Sequence, residues 1–328
     1  SIGLDGCFGC QVHCRHRYVI KEGPYAGTYA QGPEYTSQGA FGAEVGCRSM
    51  NTVLVGNHLV NDYGMDTLEV GSMIAWAMEL YEKGLITEKD TPGLRLEWGN
   101  DEAVVEAIKQ IAFRKGIGDI LADGPLPAAK KLGPESLKYL IHVKGMSNLH
   151  SDERATPALA LNIAVASRGA DHLRGRPAVD LYNLPMKVLD KLYRNPDGYT
   201  GPLTNSYSEY EGKPRMVLWQ EMVYMAVDCV GICKYHTVFL SPNHPQFKEF
   251  SKLIHLNTGL EFSDKDIWDV ANRGYTIERL FNLREGMTRK DDWLPDRYFD
   301  EPTKLGLPVA RGKSIDREKF KAMIDEYY

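Results

Sequence analysis

No stretch of this 328-residue chain approaches the run of about 20 apolar residues needed to span a bilayer. No charged-then-apolar leader opens it either, so the cytoplasm is the expected compartment. Neither sign of charge dominates: 39 Lys and Arg stand against 44 Asp and Glu, and a net charge of −5 without a basic run gives no reason to expect nucleic acid or an anionic membrane. Cysteines number only 6, too few over this length for the disulfide framework of a small secreted domain. Strand signals are scarce. The one turn resembling a nucleotide loop, Gly116-Ile117-Gly118-Asp119, lacks a third glycine and follows no strand, so it reads as packing. An initiator methionine is also absent; the chain opens at Ser1, just ahead of its first cysteine, and reads as a piece of something longer.

What is present is an ordinary globular composition, 43% hydrophobic and 25% charged, with length enough for two domains and a substantial core. The stretch that organises it is Gly6-Cys7-Phe8-Gly9-Cys10-Gln11-Val12-His13-Cys14. Three cysteines in a C-x2-C-x3-C run can present three thiolates on one tight loop, and soft thiolates select zinc, copper(I) or an iron–sulfur cluster. A structural zinc site would take His13 or His16 as its fourth ligand. For a cluster the natural fourth ligand is Cys233, on the turn that follows Gly231. Cys229, four residues earlier, is the competitor and reads more readily as a buried small hydrophobe.

Helical spacing fills most of the rest. Residues 50–60 are apolar enough for a buried helix. Residues 68–83 carry Val70, Met73, Ile74, Ala77 and Leu80 on one face, with Asp66 and Glu69 as a capping box and Gly84 as the stop. A helix over 101–115 is capped by Asn100 and ended by Gly116. A domain boundary is expected near Lys144-Gly145, giving domains 1–144 and 145–328. Beyond it the pattern predicts helices over 158–167, 216–227, 247–256 and 264–283, a loop from 195 to 215, and a final short helix. The fold class is mainly α, with two dissimilar helical domains.

Five features occur together. Two turns share the form [DN]-x-x-G-[hydrophobic]-[DC], Asn61…Gly64-Met65-Asp66 and Asp228…Gly231-Ile232-Cys233. With them stand the cysteine run, Gly32-Pro33-Glu34-Tyr35 and Arg168-Gly169-Ala170-Asp171-His172. In this the chain resembles the aldehyde ferredoxin oxidoreductase family, from about residue 1 to residue 300. The resemblance implies a tungsten or molybdenum bis-pterin (molybdopterin) cofactor, with Mg2+ bridging the pterin phosphates, beside a [4Fe–4S] cluster on Cys7, Cys10, Cys14 and Cys233. It implies that cofactor and cluster lie where the two helical domains meet, and that a β-rich N-terminal domain, absent here, covers the cofactor. Asn61, Gly64, Asp66 and Thr67 in one turn, and Asp228, Gly231 and Ile232 in the other, would hold the pterins. Turn carboxylates accept from pterin N–H groups, and glycines let the backbone approach the rings. Asn61 departs from the family's usual aspartate, but an amide still bonds a pterin.

Two departures bear on the reaction. Where aldehyde-oxidising members carry a glutamate after Gly-Pro-Glu-Tyr, this chain has Thr36, which cannot serve as a carboxylate base. Cys47 lies where the branch containing the active-site subunit of class II benzoyl-CoA reductase has a tungsten ligand; alone it reads as a packed thiol. The runs 150–154, 228–237 and 292–297 also resemble that branch. His172 matches a histidine kept near the metal and is expected to move a proton near neutral pH; alone it reads as a structural histidine beside Asp171. Glu34 is a second, weaker acid/base candidate. The implied reaction is dearomatisation of an aryl-CoA such as benzoyl-CoA in an anaerobe's cytoplasm, with an iron–sulfur subunit or ferredoxin as electron donor. The alternative is interconversion of aldehydes and carboxylic acids.

Overall fold

Three short antiparallel strands open the chain: β1 (Gly3–Asp5) pairs with β2 (Arg15–Val19), and β2 with β3 (Tyr29–Gln31). The computed structural model describes residues 1–177, 183–206, 208–238, 241–306 and 308–328. Among these it holds 14 α-helices and few strands, the mainly α architecture that the periodicity predicts. No described helix is long and apolar enough to cross a membrane. The backbone divides into two compact units, Ser1–Ser151 and Asp152–Tyr328.

In the first unit, α1 (Tyr35–Gln38) runs into a π-helical turn over Gly39–Ala43. There follow α2 (Met50–Asp62), α3 (Thr67–Glu82) and α4 (Asp101–Phe113). The short α5 (Gly118–Leu121), α6 (Pro125–Leu132) and α7 (Pro134–Leu137) lead to a small hairpin of β4 (His142–Val143) and β5 (Met146–Ser147). The core gathers Met73, Ile74, Ala77 and Leu80 of α3 against Phe41, Val104 and Ile108, all buried. Gly71 makes this packing possible, because a Cβ there would sit 2.4 Å from the Ala40 Cβ. Asp66 caps α3 by accepting from Glu69 N at 2.9 Å. The expected capping box closes on this side only: the Glu69 carboxylate accepts instead from Ser147 N at 3.0 Å and Ser147 Oγ at 2.9 Å. Those bonds hold the β4–β5 hairpin to α3, which is why the first unit runs on to Ser151, past the expected boundary near Lys144. Helix α4 ends at Arg114 in a left-handed conformation (φ 49°), short of Gly116.

The second unit is built around one long helix. After α8 (Pro157–Val165) and α9 (Met186–Tyr193), α10 (Lys213–Val230) runs buried through most of its length. Then come α11 (Phe247–Thr258), α12 (Asp264–Arg284), α13 (Arg297–Asp300) and α14 (Arg317–Tyr327). An edge-to-face aromatic chain, Tyr193–Trp219–Phe247–Trp268, has ring centroids 5.2, 5.6 and 5.5 Å apart. Helix α10 starts at Lys213, inside the stretch expected to be loop. Its polar first turn is stable because Lys213 Nζ donates to Ser206 O at 2.8 Å and Arg215 makes two bonds to Asp197 at 2.9 and 2.6 Å. Midway along α10 the buried carboxylate of Glu221 accepts from Tyr275 OH at 2.9 Å and Tyr327 OH at 2.7 Å, tying α12 and α14 to it.

Candidate functional site

The β1–β2 pairing, with Asp5 opposite Arg15, makes residues 6–14 a hairpin loop. Cys10 N donates to Cys7 O at 3.0 Å, and Gly9 and His13 take positive φ of 69° and 47° to complete the turn. A Cβ on Gly6 would lie 2.9 Å from the His13 ring, so the loop crosses itself tightly there. Cys7 and Cys14 are exposed and Cys10 partly so, and none of the three is in a disulfide. Among the described residues no three His, Cys, Asp or Glu side chains converge as a metal-binding set. In the second unit Cys233 is exposed just beyond α10. Cys229, expected to be buried, is exposed too, because the last turn of α10 leaves the core after Val227.

The first turn follows α2. Met65 N donates to Val60 O at 2.9 Å across Gly64 (φ 67°), and Asn61, Gly64 and Asp66 all face solvent. Thr67 begins α3. A Cβ on Gly64 would meet nothing within 4 Å. Beside the turn lies a cavity of about 340 Å³, with Tyr63, Met65 and Asp66 on one side and Ile111, Arg114 and Leu121 on the other. Side chains link this turn to the Gly-Pro-Glu-Tyr segment. Asn61 Nδ2 donates to Asn57 O at 2.6 Å, and Ser37 Oγ donates to Asn57 Oδ1 at 2.7 Å. Helix α1 therefore sits against the helix that ends in the turn, carrying Thr36 half-buried, while Glu34 at its start is exposed and caps nothing.

Cys47 is enclosed in the first unit's core, 7% exposed. Burial, then hydrogen bonding to and repulsion from Asp101, pushes its thiol up to about 12. Asp101 itself accepts from Thr52 Oγ1 at 2.6 Å. As placed, Cys47 is a protonated, packed thiol with a carboxylate neighbour, an arrangement that disfavours the thiolate a metal requires.

In the second unit Gly231 ends α10 at φ 73°, Ile232 N donates to Val227 O at 3.1 Å, and Asp228, Gly231 and Cys233 are exposed. As at Gly64, a Cβ on Gly231 would meet nothing within 4 Å. Asp228 pairs with Lys234 and lies 3.9 Å from Arg174 Nη1. Arg174 also reaches Glu278 at 3.1 Å and Asp171 at 3.7 Å. Arg174 therefore joins the turn at Asp228 to the segment that carries His172. The sequence gives no sign of this role, because its partners Asp228 and Glu278 lie far along the chain. Asp171 accepts from Leu173 N at 2.8 Å and so starts the 3-10 turn His172–Arg174. Burial, with Arg176 close by, outweighs Asp171 and holds His172 down at about 4. At neutral pH its ring is neutral and can donate only through N–H, contrary to the expectation of a group titrating near neutrality.

The sequence matches, over residues 1–328, the family described as aldehyde ferredoxin oxidoreductase, domains 2 and 3. The tungsten-containing aldehyde ferredoxin oxidoreductase of Pyrococcus horikoshii is 30% identical over 327 residues, covering 98% of this chain and 49% of that protein. The aliphatic sulfonate oxidoreductase, WOR-like subunit, of Pyrococcus furiosus is 28% identical over 336 residues, covering 98% and 46%. Among solved structures, the active-site complex BamBC of benzoyl coenzyme A reductase with 1,5-dienoyl-CoA superposes with a TM-score of 0.75 at 23% identity, over 99% of this chain and 49% of that one. The chain spans about half the length of the curated relatives it matches.

Proposed function

The chain belongs to the aldehyde ferredoxin oxidoreductase family, and from that premise we propose that it forms the two helical domains of a tungsten bis-pterin oxidoreductase that reduces the ring of an aryl-CoA thioester. The observation that carries the cofactor assignment is the likeness of the two turns. Each is exposed, each offers an acidic side chain, and each contains a left-handed glycine with open space where a side chain would stand. Asn61, Gly64, Asp66 and Thr67 on one unit, and Asp228, Gly231 and Ile232 on the other, would hold the pterins; Arg174 and Lys234 supply positive charge beside Asp228. Cys7, Cys10, Cys14 and Cys233 fit a [4Fe–4S] cluster as thiols outside any disulfide that are wholly or partly exposed. When bound, such a centre supplies low-potential electrons to an enclosed reactant. Cys47 fits less directly: as a tungsten ligand it must first lose its proton and its bond to Asp101. Mg2+ at the pterin phosphates belongs to the same reading.

Thr36 supports reduction over aldehyde oxidation, since a hydroxyl at this place on α1 cannot accept a proton from hydrated aldehyde near neutral pH. His172, held neutral, can donate an N–H hydrogen bond to a reactant, and exposed Glu34 is a second acid/base candidate. The electron donor in this reading is an iron–sulfur subunit or ferredoxin. Interconversion of aldehydes and carboxylic acids is the second reading, favoured by the activity named for the 30% identical relatives. The test uses the complete enzyme, purified without oxygen. Tungsten and iron are measured first, then turnover of benzoyl-CoA and of benzaldehyde with a strong one-electron donor. Turnover of benzaldehyde with benzoyl-CoA untouched overturns the aryl-CoA proposal, and zinc in place of iron and tungsten overturns both readings.

A further inference from the structure

The tip of the cysteine hairpin carries an apolar group that the fold does not use. Phe8 and Gly9 form the corner of the turn that Cys10 N closes on Cys7 O at 3.0 Å, Gly9 supplying the positive φ of 69°. Such corners are usually filled by Gly, Pro, Asn, Asp or Ser, for backbone and hydrogen-bonding reasons that a phenylalanine cannot supply. Here Phe8 is exposed over its whole side chain, and Val12, on the far side of the same loop, is 41% exposed. Both lie within the run that spaces Cys7, Cys10 and Cys14.

The loop stands on a fixed base. Tyr18 on β2 is buried; its OH donates to Leu54 O at 2.6 Å and accepts from Asn57 Nδ2 at 3.3 Å, which fastens the strand to α2. The tip is therefore presented without much ordering cost to whatever meets it. Its surroundings are basic. From Ser1 to Lys21 the chain carries His13, Arg15, His16, Arg17 and Lys21 against a single acid, Asp5, which lies 3.5 Å from Arg15. The next acid, Glu22, stands beyond the far end of β2, where its carbonyl accepts from Asn51 Nδ2 at 3.4 Å. Arg17 and Lys21 are both exposed, in a chain whose net charge is −5.

We propose that this tip is the landing surface for the electron donor, an acidic iron–sulfur protein. Phe8 and Val12 make the apolar contact, and Arg17 and Lys21 attract the donor's carboxylates. An apolar centre with a charged rim is the anatomy of a specific protein contact, and the chain's overall negative charge works against an acidic partner landing elsewhere. The proposal rests on the cluster assignment above and not on the identity of the substrate. One electron leaves the donor's cluster, which is oxidised, and enters the cluster on Cys7, Cys10, Cys14 and Cys233, which is reduced; no bond or proton moves.

The test uses the complete enzyme, with an acidic low-potential ferredoxin as the probe and binding measured by calorimetry at low and high salt. Phe8→Ser should weaken binding about 10-fold or more at either salt concentration, because an apolar anchor is lost. Arg17→Glu with Lys21→Glu should weaken it at low salt and flatten its salt dependence. In both variants iron content, and the rate at which titanium(III) citrate bleaches the visible absorbance, should match the wild type, since a small reductant needs no landing surface. Wild-type affinity in either variant overturns the proposal, as does a wild-type enzyme that fails to bind the ferredoxin. If a variant loses its iron, hydroxyl-radical footprinting of the wild-type enzyme decides instead. Phe8 oxidised in the free enzyme and protected by ferredoxin supports the surface. Phe8 oxidised equally in both overturns it, and Phe8 already protected in the free enzyme overturns it by showing that another part of the enzyme covers the tip. A wild-type enzyme without iron strikes the cluster assignment, and binding and footprint, which do not require the cluster, then judge the surface alone.

Discussion

His172 titrates well below an ordinary histidine, and this has a consequence for stability. Between about 4 in the fold and its ordinary value of 6.5, the unfolded chain binds a proton that the folded chain refuses, so acidification through that interval favours unfolding. Replacing His172 with Gln should flatten the loss of stability from pH 6.5 down to pH 4, measured by denaturant midpoints at each pH. An unchanged slope would mean that the ring is more solvated than its surroundings indicate. The thiols make a second contrast. Cys7, Cys14, Cys229 and Cys233 are exposed, whereas Cys47 is buried and held protonated. Alkylation of the native chain, mapped by mass spectrometry, should label those four promptly and Cys47 only on unfolding. Prompt labelling of Cys47 would show an accessible thiolate and strengthen its case as a ligand. Residue types and spacing made the cysteines, the two turns and His172 legible. Arg174 was not, because its partners Asp228 and Glu278 lie distant along the chain.

The helix ends carry the turns, and their chemistry can be separated from their structural duty. Asp66 caps α3, and asparagine caps nearly as well, so Asp66→Asn should leave the melting temperature almost unchanged while Asp66→Ala loses about 0.5–2 kcal/mol. If Asp66 also binds a pterin, Asp66→Asn in the complete enzyme should still lose cofactor, read as tungsten per chain. Full retention would leave Asp66 as a cap alone. At Gly231 a Cβ meets no neighbour, so Gly231→Ala should cost only the left-handed backbone strain, about 1–2 kcal/mol, read by chemical denaturation. Periodicity located the long helices because each carries an apolar stripe. It missed α9 and the first turn of α10, where Arg215 and Lys213 look like loop residues until Asp197 and Ser206 come within reach. The run 292–297, which resembled the aryl-CoA branch, has packing duties here. Asp292 is buried against Arg279, and Trp293 stacks on Phe299 at 5.2 Å.

At the scale of the molecule, the chain forms two units, each of which completes its own core and carries its own turn. The sequence leads one to expect that division near residue 145, since no local pattern announces that Glu69 reaches forward to Ser147. The outer face of α12 shows Ile277, Leu280 and Phe281 at 66%, 59% and 53% exposure, one apolar stripe on an otherwise charged helix. The 328-residue chain alone should therefore self-associate, and Ile277→Lys with Phe281→Lys should reduce that association in sedimentation without lowering the melting temperature. Association that persists in the double variant would place the contact elsewhere. The two phenols that meet on Glu221 have an optical consequence. Burial and the adjacent carboxylate hold Tyr275 and Tyr327 protonated well above pH 10, while the unfolded chain gives up those protons readily. Of the 18 tyrosines, these two should stay dark in the ultraviolet as alkali is added and then brighten together. For them the tyrosinate band would register the moment the second unit comes apart, not the pH of the solution.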